Sequence, residues 1–160
     1  MDNSSIKSIM TTELITVLPN TPLLEVAKIL EDKNIDGVPV VDLNKKLLGV
    51  INEFDLLSKG TAIHLPTLNT VLKNLTMINK DHAKLEDQFK KVFNMTAQDV
   101  MNAEPLTLPE TATFADAVKM FTEHHRVNPV PVIDTEHHVV GLVSRFDLLK
   151  IYRSIMPEEK

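Results

Sequence analysis

The chain carries a second copy of part of itself. Ile9-Met10 aligns on Val100-Met101 at an offset of 91 residues, and Ile15-Thr16-Val17 follows on Leu106-Thr107-Leu108. One extra residue then enters the second copy. From there Val38-Pro39-Val40-Val41-Asp42 lies on Val130-Pro131-Val132-Ile133-Asp134, at an offset of 92. Gly49-Val50-Ile51 lies on Gly141-Leu142-Val143, and Phe54-Asp55-Leu56-Leu57 matches Phe146-Asp147-Leu148-Leu149 at all four positions. An internal repeat sets the unit that has to fold. Each copy is roughly 55 residues, too short to hide much apolar surface alone. The two are therefore expected to complete one core together, as one module. The implied organisation is repeat 1 over 6–58, a connecting segment over 59–96 and repeat 2 over 97–152.

One unit reads as follows. Ile15-Thr16-Val17 is a short β-prone run that ends at Pro19-Asn20-Thr21-Pro22. Thr21 is a candidate helix cap, with Pro22 at the first helical position, where no backbone N–H is needed. In the second copy Thr113 precedes Asp116 at capping-box spacing. Leu23, Val26, Ala27 and Leu30 then recur at helical spacing, as do Phe114, Ala117, Val118 and Phe121. Val38-Pro39-Val40-Val41 and Leu47 to Ile51, joined by a polar turn, read as a hairpin. Pro39 and Pro131 lack an N–H and are expected at a strand's beginning or on an edge. Asn52 and Ser144 stand where they can cap a second helix. Each unit is thus β-α-β-β-α, and the fold class is α/β (α+β): two such repeats in pseudo-two-fold symmetry with a helical insert. In that insert Leu68, Val71, Leu72 and Leu75, and later Phe89, Val92 and Phe93, recur at helical spacing.

Composition removes several functions. There is no Cys, so no disulfide scaffold, thiol nucleophile or Cys-based metal site is available. The net charge of −5 argues against binding nucleic acid by bulk charge. No apolar run approaches the ~20 residues of a membrane span. Met1 to Ser5 lacks a basic region followed by an apolar stretch, so a cytoplasmic location is expected. The adjacent pairs His124-His125 and His137-His138 point in different directions on a helix or strand. His137-His138 falls in the hairpin turn and is read as solvated, His124-His125 ends a helix, where a cation suits the dipole, and no metal site is expected.

The order Met, Thr, helix, Val-Pro-Val-Val-Asp, Gly-Val-Ile and Asp-Leu closely resembles the CBS domain, named for cystathionine β-synthase. Two copies resemble the tandem pair called a Bateman module. The resemblance implies that adenosine nucleotides or related adenosyl ligands bind in clefts between the repeats. It also implies self-association, so a homodimer is expected, and an effector protein to receive the signal. The family signature is Gly-h-x-(Thr/Ser)-x-x-Asp, whose Asp holds the ribose hydroxyls and whose Ser or Thr donates to phosphate. Gly141-Leu142-Val143-Ser144-Arg145-Phe146-Asp147 matches it. By the same resemblance Thr107 borders the adenine and Asn128, Pro129, Val130 and Pro131 read its edge. Arg145 is placed to neutralise phosphate.

The first copy departs from the pattern: Asn52 replaces the Ser/Thr, and Glu53 stands where the second copy has Arg145. A weaker second cleft is expected there, formed by Thr16, Gly37, Val38, Pro39, Asn52 and Asp55. The resemblance also implies basic, phosphate-holding residues just before the Pro-Val-Val strands, but here those positions are Asp36-Gly37 and Asn128-Pro129, with Arg126 the nearest basic residue. That disfavours a triphosphate and leaves AMP, ADP or an adenosyl compound with fewer phosphates. The functional expectation is a regulatory sensor of an adenosyl ligand rather than an enzyme, since no converging acid, base and nucleophile are seen. The rival is a structural or dimerisation module with no bound nucleotide.

Overall fold

Each hairpin forms because a run of β-branched and apolar residues returns on itself through an Asp-led turn. In repeat 1, β1 (Gly37–Val41) pairs antiparallel with β2 (Leu47–Asn52), with Val38 opposite Ile51 and Val40 opposite Gly49. Asp42 Oδ1 closes the turn by accepting the Asn44 and Lys46 amides at 2.8 and 2.9 Å. Lys45 takes the left-handed conformation there, φ 66°. In the computed structural model, residues 4–58 and 94–155 are described. Most of the expected helical insert, and its two apolar stripes, lie outside them.

The remaining elements follow the repeat. Helix α1 (Leu23–Lys33) buries Leu23, Val26 and Leu30, and α2 (Glu53–Ser58) follows β2 directly. A short helix, α3 (Ala97–Val100), opens the second half. Then come β3 (Leu108–Pro109), α4 (Phe114–Glu123), β4 (Val130–Ile133), β5 (Val139–Val143) and α5 (Arg145–Ile155). Strand β3 runs parallel to β4, which pairs antiparallel with β5, so β4 is central. In repeat 1 the counterpart of β3 shrinks to one parallel bridge, Val17 to Val40.

Two expectations are corrected. Thr21 does not cap α1. Pro22 occupies the cap position without a side-chain bond, and Thr21 Oγ1 accepts the Leu18 amide at 3.0 Å. Thr113 does cap α4, and the Thr113 amide and hydroxyl both donate to Asp116 Oδ2, at 2.8 and 2.7 Å. These bonds, the backbone one first, hold the Asp116 carboxyl below its usual range, and Thr96 does the same for Asp99.

Pro131 is likewise not at a strand beginning or edge, since it lies inside the central strand β4. Pro39 lies inside β1, which pairs with β2 on one side and carries the single Val17 bridge on the other, and both prolines are fully buried. Val17 donates to the Pro39 carbonyl (3.0 Å) and accepts the Val41 amide (2.9 Å). The next amide along this parallel ladder would be that of residue 39 itself. Proline has none, so the ladder stops at Val17, and Pro131 acts the same way opposite Leu106. The missing N–H faces the place where pairing ends, which lets a proline occupy a central strand.

The core shows how the halves depend on each other. Ile6 and Ile9, from the leading segment of repeat 1, pack with Leu108, Ala117, Phe121, Val130, Val132 and Val143 of repeat 2. Ala97 and Val100, from the leading segment of repeat 2, pack with Val17, Val26, Leu30, Val38 and Ile51 of repeat 1. The leading segments are exchanged. Backbone bonds confirm the symmetry: Thr11 pairs with Leu142, and its counterpart Asn102 pairs with Val50. The hairpin tips also join, with Leu47 donating to His137 and Val139 to Lys45 at 3.0 and 3.2 Å. Val41, Leu47, Val50 and Val139 form a third cluster at this junction. His138, expected to be solvated, is half-buried, with Nδ1 3.0 Å from Asp134 Oδ2.

Candidate functional site

The exchange decides what each cleft is made of. The larger cavity, about 600 Å³, has Leu142, Ser144, Phe146 and Asp147 on one wall. Its other wall is Thr11, Glu13 and Ile15 with Asn34 to Gly37, all from the first half of the chain. The smaller cavity, about 220 Å³, is its pseudo-symmetric counterpart. There Asn52, Phe54 and Asp55 face Asn102, Glu104, Leu106 and Arg126 to Pro129. Every cleft therefore joins the signature end of one repeat to the strand side of the other.

This regroups the residues expected from the sequence. Ser144 and Asp147 share a cavity with Gly37, and Asn52 and Asp55 share one with Asn128. Pro129 borders both. Val38, Pro39, Val130 and Pro131 are fully buried in β1 and β4, with Val38 and Val130 in the two core clusters. Thr16 and Thr107 line neither cavity. The sequence reading missed Thr11, Glu13, Ile15, Asn34, Ile35 and Asp36 on one side, and Asn102, Glu104 and Leu106 on the other. The signal was present: a two-fold axis sets like ends of the repeats against each other, so the partner of a signature comes from the opposite copy.

The signature residues have defined local roles. Asp147, 6% exposed, accepts the Ser144 amide and hydroxyl at Oδ2, 2.7 and 2.8 Å. Lys150 Nζ sits on Asp147 Oδ1. Asp55, 8% exposed, accepts the Asn52 amide at 3.1 Å, and its own amide donates to Asn52 Oδ1 at 2.8 Å. Each Asp thus braces the first turn of its helix, and a buried carboxylate requires such partners. A carboxylate offers about four acceptor positions, so the three bonds at Asp147 leave it able to take a ribose hydroxyl.

Arg145 is not placed for the role expected of it. Its guanidinium donates to the Phe121 and His124 carbonyls at 3.1 and 3.0 Å and stacks 5.1 Å from the Phe121 ring. It caps the end of α4 rather than facing the cleft. The basic residue that lines a cavity is Arg126, in the smaller one, 5.2 Å over the Phe54 ring. Between the cavities, Asn128 Nδ2 donates to Asp36 Oδ2 at 2.7 Å, while Asn128 Oδ1 accepts the Arg145 amide at 3.0 Å. Asp36 and Asn128 are symmetry counterparts, so this bond crosses the pseudo-axis. Among the described residues no group of three metal-ligating side chains is present, and no helix is long and apolar enough to cross a membrane.

Two half-sized repeats that exchange leading segments and enclose paired clefts define a tandem ligand-cleft module. The CBS domain profile matches residues 6–61 and 97–154, and the chain belongs to the CBS domain family. It is similar to the uncharacterized protein MJ1426 of Methanocaldococcus jannaschii, at 29% identity over 91% of this chain and 89% of that one. It is also similar to chloroplastic CBSX2 of Arabidopsis thaliana, at 25% identity, spanning 60% of that protein. Among solved structures, CBSX2 in complex with AMP superposes with a TM-score of 0.69 at 23% identity, covering 95% of this chain and 98% of that one. The CBS domain pair of MJ0100, in complex with 5′-methylthioadenosine and S-adenosyl-L-methionine, gives 0.66 at 23% identity, over 96% and 99%. These superpositions establish the CBS-pair fold.

Proposed function

We propose that the chain is a regulatory sensor, in which an adenosyl compound binds the larger cleft and alters what the module presents to an effector protein. The observation that carries this reading is the cavity of about 600 Å³ bounded by both repeats, with the Ser144 and Asp147 signature on its wall. Its size is within the ordinary range for a small-molecule site. The AMP complex of CBSX2 and the adenosyl complexes of MJ0100 support the ligand class. A ligand there touches both halves, so it favours one relative arrangement of them over others. That is a way to pass a signal without chemistry. Self-association into a homodimer, a cytoplasmic location and a non-catalytic role belong to the same reading.

One observation favours the rival, a structural module with no bound nucleotide: Asp147 and Asp55 both already serve their helices. A thermal-shift panel of AMP, ADP, ATP, S-adenosylmethionine and 5′-methylthioadenosine separates the two. A ligand at 100 times its Kd adds about 2.7 kcal/mol to stability. Asp147→Asn is expected to abolish the shift and Asp55→Asn to change it less. If no adenosyl compound raises the wild-type Tm, the structural reading stands in its place.

A further inference from the structure

The larger cleft also constrains what its ligand can carry. This inference rests on the adenosyl reading above. A 5′-phosphate brings about −1.5 to −2 charges and needs cationic or backbone N–H donors. Among the described residues the cavity wall offers no cationic side chain. Its ionisable lining is Glu13, Asp36 and Asp147, with no lysine or arginine. Lys150 offsets only Asp147, on whose carboxylate it sits. Asp36 receives a neutral amide, from Asn128.

A helix N-terminus is the usual alternative, through its free amides and partial positive charge. Here three amides at the α5 entry are already engaged. The Ser144 amide donates to Asp147 Oδ2, the Arg145 amide to Asn128 Oδ1 and the Asp147 amide to the Ser144 carbonyl, at 2.7, 3.0 and 3.1 Å. The Arg145 guanidinium is held by α4. What the wall does offer is carboxylate charge and the ring of Phe146, 72% exposed. That combination suits an apolar or positively charged substituent.

We propose that the larger cleft selects adenosyl compounds that carry no phosphate, such as a 5′-thioether or a sulfonium, over adenosine nucleotides. The test is isothermal titration of the full chain with 5′-methylthioadenosine, S-adenosylmethionine and AMP. Competition of AMP against bound methylthioadenosine is run in wild type and in Arg126→Ala, which disables the basic side of the smaller cleft. At least one phosphate-free ligand is expected to bind about ten-fold or more tightly than AMP. Glu13→Lys, at an exposed position of the wall, is expected to strengthen AMP by about five-fold relative to methylthioadenosine. AMP displacing methylthioadenosine at equal or lower concentration in both proteins overturns this inference and leaves the adenosyl reading intact. An AMP affinity indifferent to Glu13→Lys also overturns it. If none of the three ligands binds, the adenosyl reading itself falls.

Discussion

Gly49 and Gly141 occupy equivalent places in the two repeats, yet their surroundings differ in a way that stability can read. A Cβ added at Gly49 would lie 2.7 Å from the Asn102 carbonyl oxygen and 2.7 Å from Met101 Sδ. The three atoms nearest to a Cβ added at Gly141 all belong to Met10, led by its Sδ at 2.5 Å and Cγ at 3.0 Å. Methionine has three rotatable bonds and moves aside at little cost. The Asn102 carbonyl cannot, because it accepts the Val50 amide at 3.0 Å while the Asn102 amide donates back at 2.9 Å. Relief at Gly49 therefore has to shift the strand segment that joins the second half to β2. Overpacking of this kind costs about 1–3 kcal/mol. Each strained backbone bond adds about 1 kcal/mol. Alanine returns about 0.4–1 kcal/mol by restricting the unfolded chain. The net expectation is about 1–3 kcal/mol lost for Gly49→Ala, against a change of less than about 1 kcal/mol for Gly141→Ala. Urea unfolding of both variants, followed by far-UV circular dichroism, measures the difference. If Gly141→Ala loses as much as Gly49→Ala, the distinction between a movable side chain and a fixed carbonyl is wrong.

Other outcomes follow from the exchanged segments, the caps and the clefts. Ile6→Ala, at a fully buried position, is expected to cost about 2–5 kcal/mol; hydrogen exchange should show β4 and β5 losing protection before β1 and β2, and the reverse order refutes the exchange. Arg145→Ala is expected to lower stability by about 1–2 kcal/mol through the loss of its bonds to α4, while ligand affinity in the larger cleft changes less than two-fold; a large affinity loss in calorimetry would restore its phosphate role. The lowered carboxyls of Asp99, Asp116 and Asp134 contribute stability that is complete above the ordinary Asp range and is lost as pH falls through their folded values. The urea midpoint should therefore fall below about pH 4, and Asp116→Asn should flatten that fall; an unchanged slope counts against the Thr113 cap as its source.

Much of this molecule was legible in its residues. Leu23, Val26 and Leu30 announce α1 by period alone, and Thr113 with Asp116 announces the start of α4. The hairpins show themselves through β-branched runs around Asp42 and Asp134. What period and propensity do not carry is partnership. Aligning Val17 with Leu108 says that the two are equivalent, not which strand either one meets. Pairing is settled by long-range burial: Ile6 and Ile9 sit far from repeat 2 in the chain yet complete its core. The sites inherit that ambiguity. Ser144 and Asp147 were recognisable as a signature, because capping and ligand-holding demand the same residue types at the same spacing. Their facing wall, Glu13 and Asp36, follows only from the two-fold relation of the copies, since nothing local ties residue 13 to residue 147. Arg145 shows the same limit: its neighbours in sequence suggested a phosphate, whereas its neighbours in space are the Phe121 and His124 carbonyls. A side chain that long can serve either end of its reach, and here two carbonyls and an aromatic face hold it. The prolines carry the argument one step further. Pro39 and Pro131 end the parallel ladders at the level of Ile15 and Leu106, and those two residues line the two clefts. A missing amide in β1 and in β4 thus marks where the sheet opens into a ligand-sized space. This ties a feature visible in the sequence to the position of the site, through the hydrogen bond that proline cannot make.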